Sequence, residues 1–173
     1  MRVELGAAEN AARAITLPQM ETYVMFRTAL PKPTSEEAHL RHILRFYVAR
    51  SFAKGDYEKV YILPHLTVGD EPLTVDVAAI RGSEITVAIC EPESVSPATV
   101  DLLEKLHRAE NAQAIVVYSQ YGSDNGVAEG FKDAFDSRKF RLRAVVPPPF
   151  DDVYEYDIWM FETTFRNVLE DQG

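Results

Sequence analysis

Residues 73–90, LTVDVAAIRGSEITVAIC, constrain the fold more than any other stretch of the chain. Two apolar runs rich in β-branched residues, LTVDVAAI and EITVAIC, flank the turn residues Arg81-Gly82-Ser83, and that pattern predicts a β-hairpin. A hairpin forces antiparallel neighbours. The downstream elements demand the opposite. A helix opens at Ser96-Pro97, with Val100, Leu103 and Leu106 on one face, and leads to the apolar strand AQAIVVYS, a helical stretch from Asn125 to Ser137 and a last strand, RLRAVV. Strands separated by helices are joined by crossovers and pair in parallel. Upstream, Thr34-Ser35-Glu36-Glu37 caps a segment running to Lys54, in which Leu40, Leu44, Tyr47 and Val48 recur at helical spacing and Gly55 is the stop; the strand KVYILPHL comes next. The expected class is α/β, with a mixed central sheet flanked by helices.

Two proline-rich pieces, Pro31-Lys32-Pro33 and Pro147-Pro148-Pro149, set the ends off from this block. The division is an N-terminal extension (1–33), a core (34–146) and an acidic, aromatic C-terminal segment (147–173) of a single domain, a size consistent with 173 residues at 46% hydrophobic content. GAAENAARA has helix-forming composition, and ETYVMF reads as a strand or as one turn of an amphipathic helix. In the tail, Tyr154, Ile158, Phe161, Phe165 and Val168 or Leu169 are spaced as the apolar stripe of an amphipathic helix. That stripe packs on the protein's own core or forms a homodimer contact.

Charge narrows the function classes. The chain carries 18 Lys and Arg against 27 Asp and Glu, a net charge of −9, which argues against a dedicated polyanion binder. The excess is concentrated: beyond Pro147 seven acidic residues face one base, Arg166, so residues 1–146 carry only −3. They include one basic cluster, Arg138-Lys139-Phe140-Arg141-Leu142-Arg143. A lone cysteine, Cys90, excludes an intrachain disulfide and suits a reducing compartment. No run approaches the roughly 20 apolar residues of a membrane span. The expectation is a cytoplasmic protein that does not enter membranes.

Asp76, a carboxylate inside an apolar run, needs a partner or a site. With the element order, it carries a resemblance. Residues 34–146 resemble the PD-(D/E)XK superfamily, the restriction-endonuclease-like fold, in which a helix bearing a Glu precedes three antiparallel strands, then helix, strand, helix, strand. In that family the second strand brings an Asp and the third a Glu or Asp, any residue, then a Lys; the carboxylates hold magnesium for phosphodiester hydrolysis. A hard cation takes carboxylate oxygens, and attack on a diester needs charge neutralisation and an activated water. The resemblance implies Asp76 as the second-strand Asp and Glu37, or Glu36 beside it, as the helical Glu, near the buried face of the first helix. Two registers serve the third strand. One reads Cys90-Glu91-Pro92, a dead motif; the other puts Glu91 and Glu93 on one strand face as a Glu-x-Glu variant. The second implies Glu37, Asp76 and Glu91 as ligands of Mg2+ or Mn2+, with Asp76, Glu91 and Glu93 as the catalytic set, and with Arg41, Arg45, Arg138, Lys139, Arg141 and Arg143 touching nucleic acid. The family's Lys is missing, and Lys105 on the following helix is the available substitute. The first leaves a nuclease-fold protein acting as an interaction or assembly module.

Other signals read more plainly. His39 and His42 have metal-ligand spacing on a helix, but no remote third ligand is identifiable, and a helix surface accounts for them. His65 and His107 are isolated. Cys90 lacks a His and Asp constellation and reads as a small buried hydrophobe. The loop Ser119 to Gly130 holds three glycines at spacings that match no phosphate-binding fingerprint, and Asp124 or Asn125 as a helix cap explains it.

Overall fold

The computed structural model of the protein describes residues 1–6, 8–16 and 35–145. The readings of ETYVMF and of the C-terminal segment, as an amphipathic helix that packs on the core or forms a dimer contact, fall outside these residues. The elements run β1 (Val3–Leu5), α1 (Ala8–Ala12), β2 (Ala14–Ile15), α2 (Glu36–Lys54), β3 (Lys59–Ile62), β4 (His65–Val68), β5 (Glu71–Thr74), β6 (Val77–Arg81), β7 (Glu84–Glu91), α3 (Pro97–Arg108), β8 (Ala112–Ser119), α4 (Val127–Gly130), α5 (Lys132–Asp136) and β9 (Phe140–Val145). The expected mixed sheet is present. Its six strands lie in the order β2-β3-β6-β7-β8-β9. β2, β3, β6 and β7 are joined by antiparallel pairings, whereas β7-β8 and β8-β9 are parallel.

β7 and β8 are central strands buried on both faces, which is why they read as unbroken apolar runs. Alternation divides β7 between two cores. Ala88 and Cys90 pack with Ile43, Phe46 and Val48 of α2, while Val87 and Ile89 pack with Leu103 and Leu106 of α3 and with Phe131 and Phe140. Helices therefore cover both faces, α2 on one and α3 with α4 and α5 on the other. Ser35 caps α2 by accepting the Ala38 N–H, and Ser96 caps α3 ahead of Pro97, as the sequence predicts. Among the described residues no helix is long and apolar enough to cross a membrane.

Three expectations need correction. KVYILPHL is not one strand: it breaks at Leu63-Pro64, where Leu63 takes a left-handed φ of 50°, and its halves enter different sheets as β3 and β4. LTVDVAAI breaks likewise, β5 ending at Thr74 and β6 starting at Val77. Asp76 thus sits in a bend between strands, not inside one. The extra pieces build a second, antiparallel sheet in the order β1-β4-β5, whose Val3, Leu66 and Leu73 pack on the α3 side of the core. Third, the helix expected over Asn125 to Ser137 is two short ones separated by Phe131, and Gly126 stands at the cap position in place of Asp124 or Asn125. Asn125 and Gly126 both have positive φ, 52° and 77°, and Asp124 Oδ1 accepts the Gly126 N–H at 3.0 Å, a turn that delays the helix start.

Candidate functional site

Asp76, Glu91, Arg41 and Arg45 meet where α2 crosses the ends of β6 and β7. Arg41 and Arg45 are one helical turn apart and share a face of α2. The bend at Asp76 presents its carboxylate to β7: Oδ2 accepts the Cys90 N–H at 2.8 Å, and Oδ1 accepts Arg45 Nε at 2.6 Å. Arg41 Nη1 lies 3.7 Å from Oδ2 and donates to the Cys90 carbonyl at 2.6 Å. At the end of β7, Glu91 turns to the α3 side, where Oε2 accepts the Ser96 N–H at 2.5 Å and Oε1 lies 3.6 Å from Arg41 Nη2. The carboxylates are 7% and 6% exposed, so each needs compensation on the spot. They have it: two guanidinium groups balance two buried carboxylates, and backbone N–H groups take further lone pairs.

The turn carrying Glu91 is fastened from the next strand. Ser119 N donates to the Glu93 carbonyl, Val95 N to the Ser123 carbonyl, and the Asn125 amide to the Val95 carbonyl. Gly122 lets the two loops touch, since a Cβ there would stand 2.7 Å from the Glu93 carbonyl atoms. Beside this centre opens a cleft of about 510 Å3, lined by Arg41, Arg45, Asp76, Glu91, Thr99 and Lys105 among others.

Among the candidates, Asp76 and Glu91 come together. Glu37 does not lie near the buried face: its side chain is 72% exposed and reaches the centre only through Arg41, at 3.6 Å. Glu36 is exposed as well. Glu93 is exposed beyond the end of β7, whereas Glu91 and Pro92 are buried. Lys105 lines the cleft but pairs with Glu71 at 3.1 Å. Of the residues assigned to nucleic acid, Arg41 and Arg45 are turned inward on carboxylates. Lys139 Nζ donates to the His107 and Ala109 carbonyls at 3.0 and 2.6 Å, capping the end of α3. Arg138 is exposed in the turn before β9, and Arg141 and Arg143 are half-buried on β9, at one end of the six-stranded sheet. His39 and His42 are buried, not on a helix surface. Burial pushes the Cys90 thiol well above its ordinary value, with the Asp76 charge acting in the same direction, which favours the neutral thiol over the thiolate.

A divalent metal does not fit this donor set as it stands. Two carboxylates are within reach, their oxygens already serve arginines and backbone N–H groups, and no Lys occupies the position that the resemblance requires. Among the described residues no group of three or more His, Cys, Asp or Glu side chains is placed to hold a metal ion. Arg41 is the residue whose role the sequence conceals. Its spacing of four from Glu37 and from Arg45 is visible, but a charged helical residue reads as solvent-facing until the strand ends are placed beneath it. No protein-family model matches the chain, and no curated protein sequence matches it.

Proposed function

We propose that the chain is a restriction-endonuclease-like protein whose catalytic centre has become an internal salt-bridge network, and that it works as an interaction or assembly module, not as a phosphodiesterase. The fold part rests on the order α2, antiparallel β3-β6-β7, α3, parallel β8, with β4 and β5 as an insertion. The observation that carries the functional part is Arg41, a fixed cation between the two buried carboxylates a nuclease would give to magnesium. The net charge of −9 and the internal engagement of Arg41, Arg45 and Lys139 weigh against a nucleic-acid surface. In this reading the acidic aromatic stripe of the tail is the contact surface.

Supercoiled DNA, single-stranded DNA and RNA incubated with Mg2+ or Mn2+ test it. Wild type and Asp76→Asn are expected to leave all three intact; metal-dependent cleavage by wild type that Asp76→Asn removes restores the nuclease reading. Light scattering on the full chain tests assembly. A dimer weakened by Phe161→Asp is expected, and a monomer at all concentrations ends the self-assembly form of the proposal.

A further inference from the structure

Resting on that reading, we infer that Arg41 is a tethered cation in a seat that would otherwise take a divalent metal, and that replacing it with a small neutral side chain converts the seat into a Mn2+ or Mg2+ site. Besides the exposed Glu37 on its own helix, whose Oε1 lies at 3.6 Å, three oxygens from two further chain segments face the Arg41 guanidinium: Asp76 Oδ2 at 3.7 Å, Glu91 Oε1 at 3.6 Å and the Cys90 carbonyl at 2.6 Å. Each keeps acceptor capacity on that side. Asp76 Oδ2 takes one hydrogen bond from the Cys90 N–H, and among the described residues Glu91 Oε1 has no hydrogen-bond donor, its only cationic neighbour being Arg41. Two carboxylate oxygens and a peptide carbonyl, completed by water, are the ligands that hard divalent cations select.

Charge balance points the same way. With Arg41 removed, Arg45 still compensates Asp76, but Glu91 keeps only the Ser96 N–H, and a 6% exposed carboxylate is left in need of positive charge. Access is available, because the Arg41 side chain is 27% exposed and lines the open cleft. Its attachment to α2 makes it a cation of very high effective concentration, against which a free metal ion competes poorly.

The test is calorimetric titration of wild type, Arg41→Ala, Arg41→Lys and Arg41→Ala/Glu91→Gln with MnCl2, with thermal melting in parallel. Arg41→Ala is expected to bind one Mn2+ with Kd of about 10−4 to 10−3 M, the range of weakly built oxygen sites, and its melting midpoint is expected to rise with Mn2+. Wild type, Arg41→Lys and the double variant are expected to bind none up to millimolar metal. A folded Arg41→Ala that takes up no metal overturns the tethered cation and leaves the silent-module reading standing. Binding by wild type that Asp76→Asn removes does the reverse, overturning the silent centre itself. Should Arg41→Ala be unfolded without metal, its far-ultraviolet circular dichroism is followed during Mn2+ addition: return of the helical signal supports the seat, and none overturns it.

Discussion

Two kinds of buried polar centre, one charged and one neutral, hold this molecule together in opposite ways. At the ends of β6 and β7, Asp76 and Glu91 are compensated by arginines carried on α2, an element from another layer. Across the molecule, Asn111 works without charge: its Oδ1 accepts the Val3 N–H at 2.8 Å and its Nδ2 donates to the Val3 and Ser83 carbonyls, both at 2.9 Å. Asn10 does the same for the first turn, bonding Gly6 and both backbone groups of His65. The neutral centres bind backbone groups that every sequence has; the charged centre depends on side chains that must match. Substitution can therefore re-purpose the charged centre, whereas it can only damage the neutral ones. A centre rich in alternatives is where a change of function is written.

The widest separation between the two is expected on deleting a charge. Asp76→Asn leaves Arg45 and Arg41 facing a neutral group and is expected to cost about 3–5 kcal/mol in urea denaturation, the scale for breaking a buried ion pair from one side. A gain in stability breaks the comparison, since it shows that the carboxylates repel and await a metal. Asn111→Ala is expected to cost about 1–3 kcal/mol for the buried backbone groups left open, with no change on adding metal to either protein. Gly122→Ala tests whether the charged centre leans on the loops behind it. Overpacking against Glu93 is expected to cost about 1–3 kcal/mol, and a double-mutant cycle with Glu91→Gln should show coupling through the Ser96 N–H. The smallest effect concerns Cys90, whose backbone N–H serves Asp76. Its thiol is held neutral when folded, so above the ordinary value of 9.0 the unfolded chain loses that proton first. Stability attributable to it is intact below pH 9 and falls by up to about 1.4 kcal/mol per pH unit above it. Cys90→Ala should flatten that slope, and a thiol reagent at pH 8 should label wild type only as it unfolds.

Much of the large sheet is legible in the amino-acid sequence. Ser35 and Gly55 bracket α2, Ser96-Pro97 opens α3, and AQAIVVYS coincides with β8, because capping chemistry and apolar runs act locally. The second sheet is hidden for the opposite reason. β3 and β4, like β5 and β6, are continuous in composition, and what parts them is a change of partner at Leu63 and Asp76: the Leu63 N–H donates to the Asp76 carbonyl at 2.9 Å, tying the two breaks together. Asp76 and Glu91 stand out as carboxylates in apolar surroundings. Arg41 does not, since its inward direction is set by tertiary packing, and the Cys90 carbonyl and Ser96 N–H beside it belong to the backbone, about which side-chain identity says little.

The placement of β1 bears on how the chain assembles. Val3 pairs with Val68 in the small sheet and is stapled by Asn111, 108 residues away. β1 thus finds its last partner only after α3 has been made. Closing so long a loop is slow, and non-local pairing of this kind lowers folding rates. Until then β4 presents an unpaired edge, the species most open to pairing with a second chain. The six-stranded sheet is expected to form ahead of the three-stranded one, with docking of the first six residues as the late step that ends that exposure.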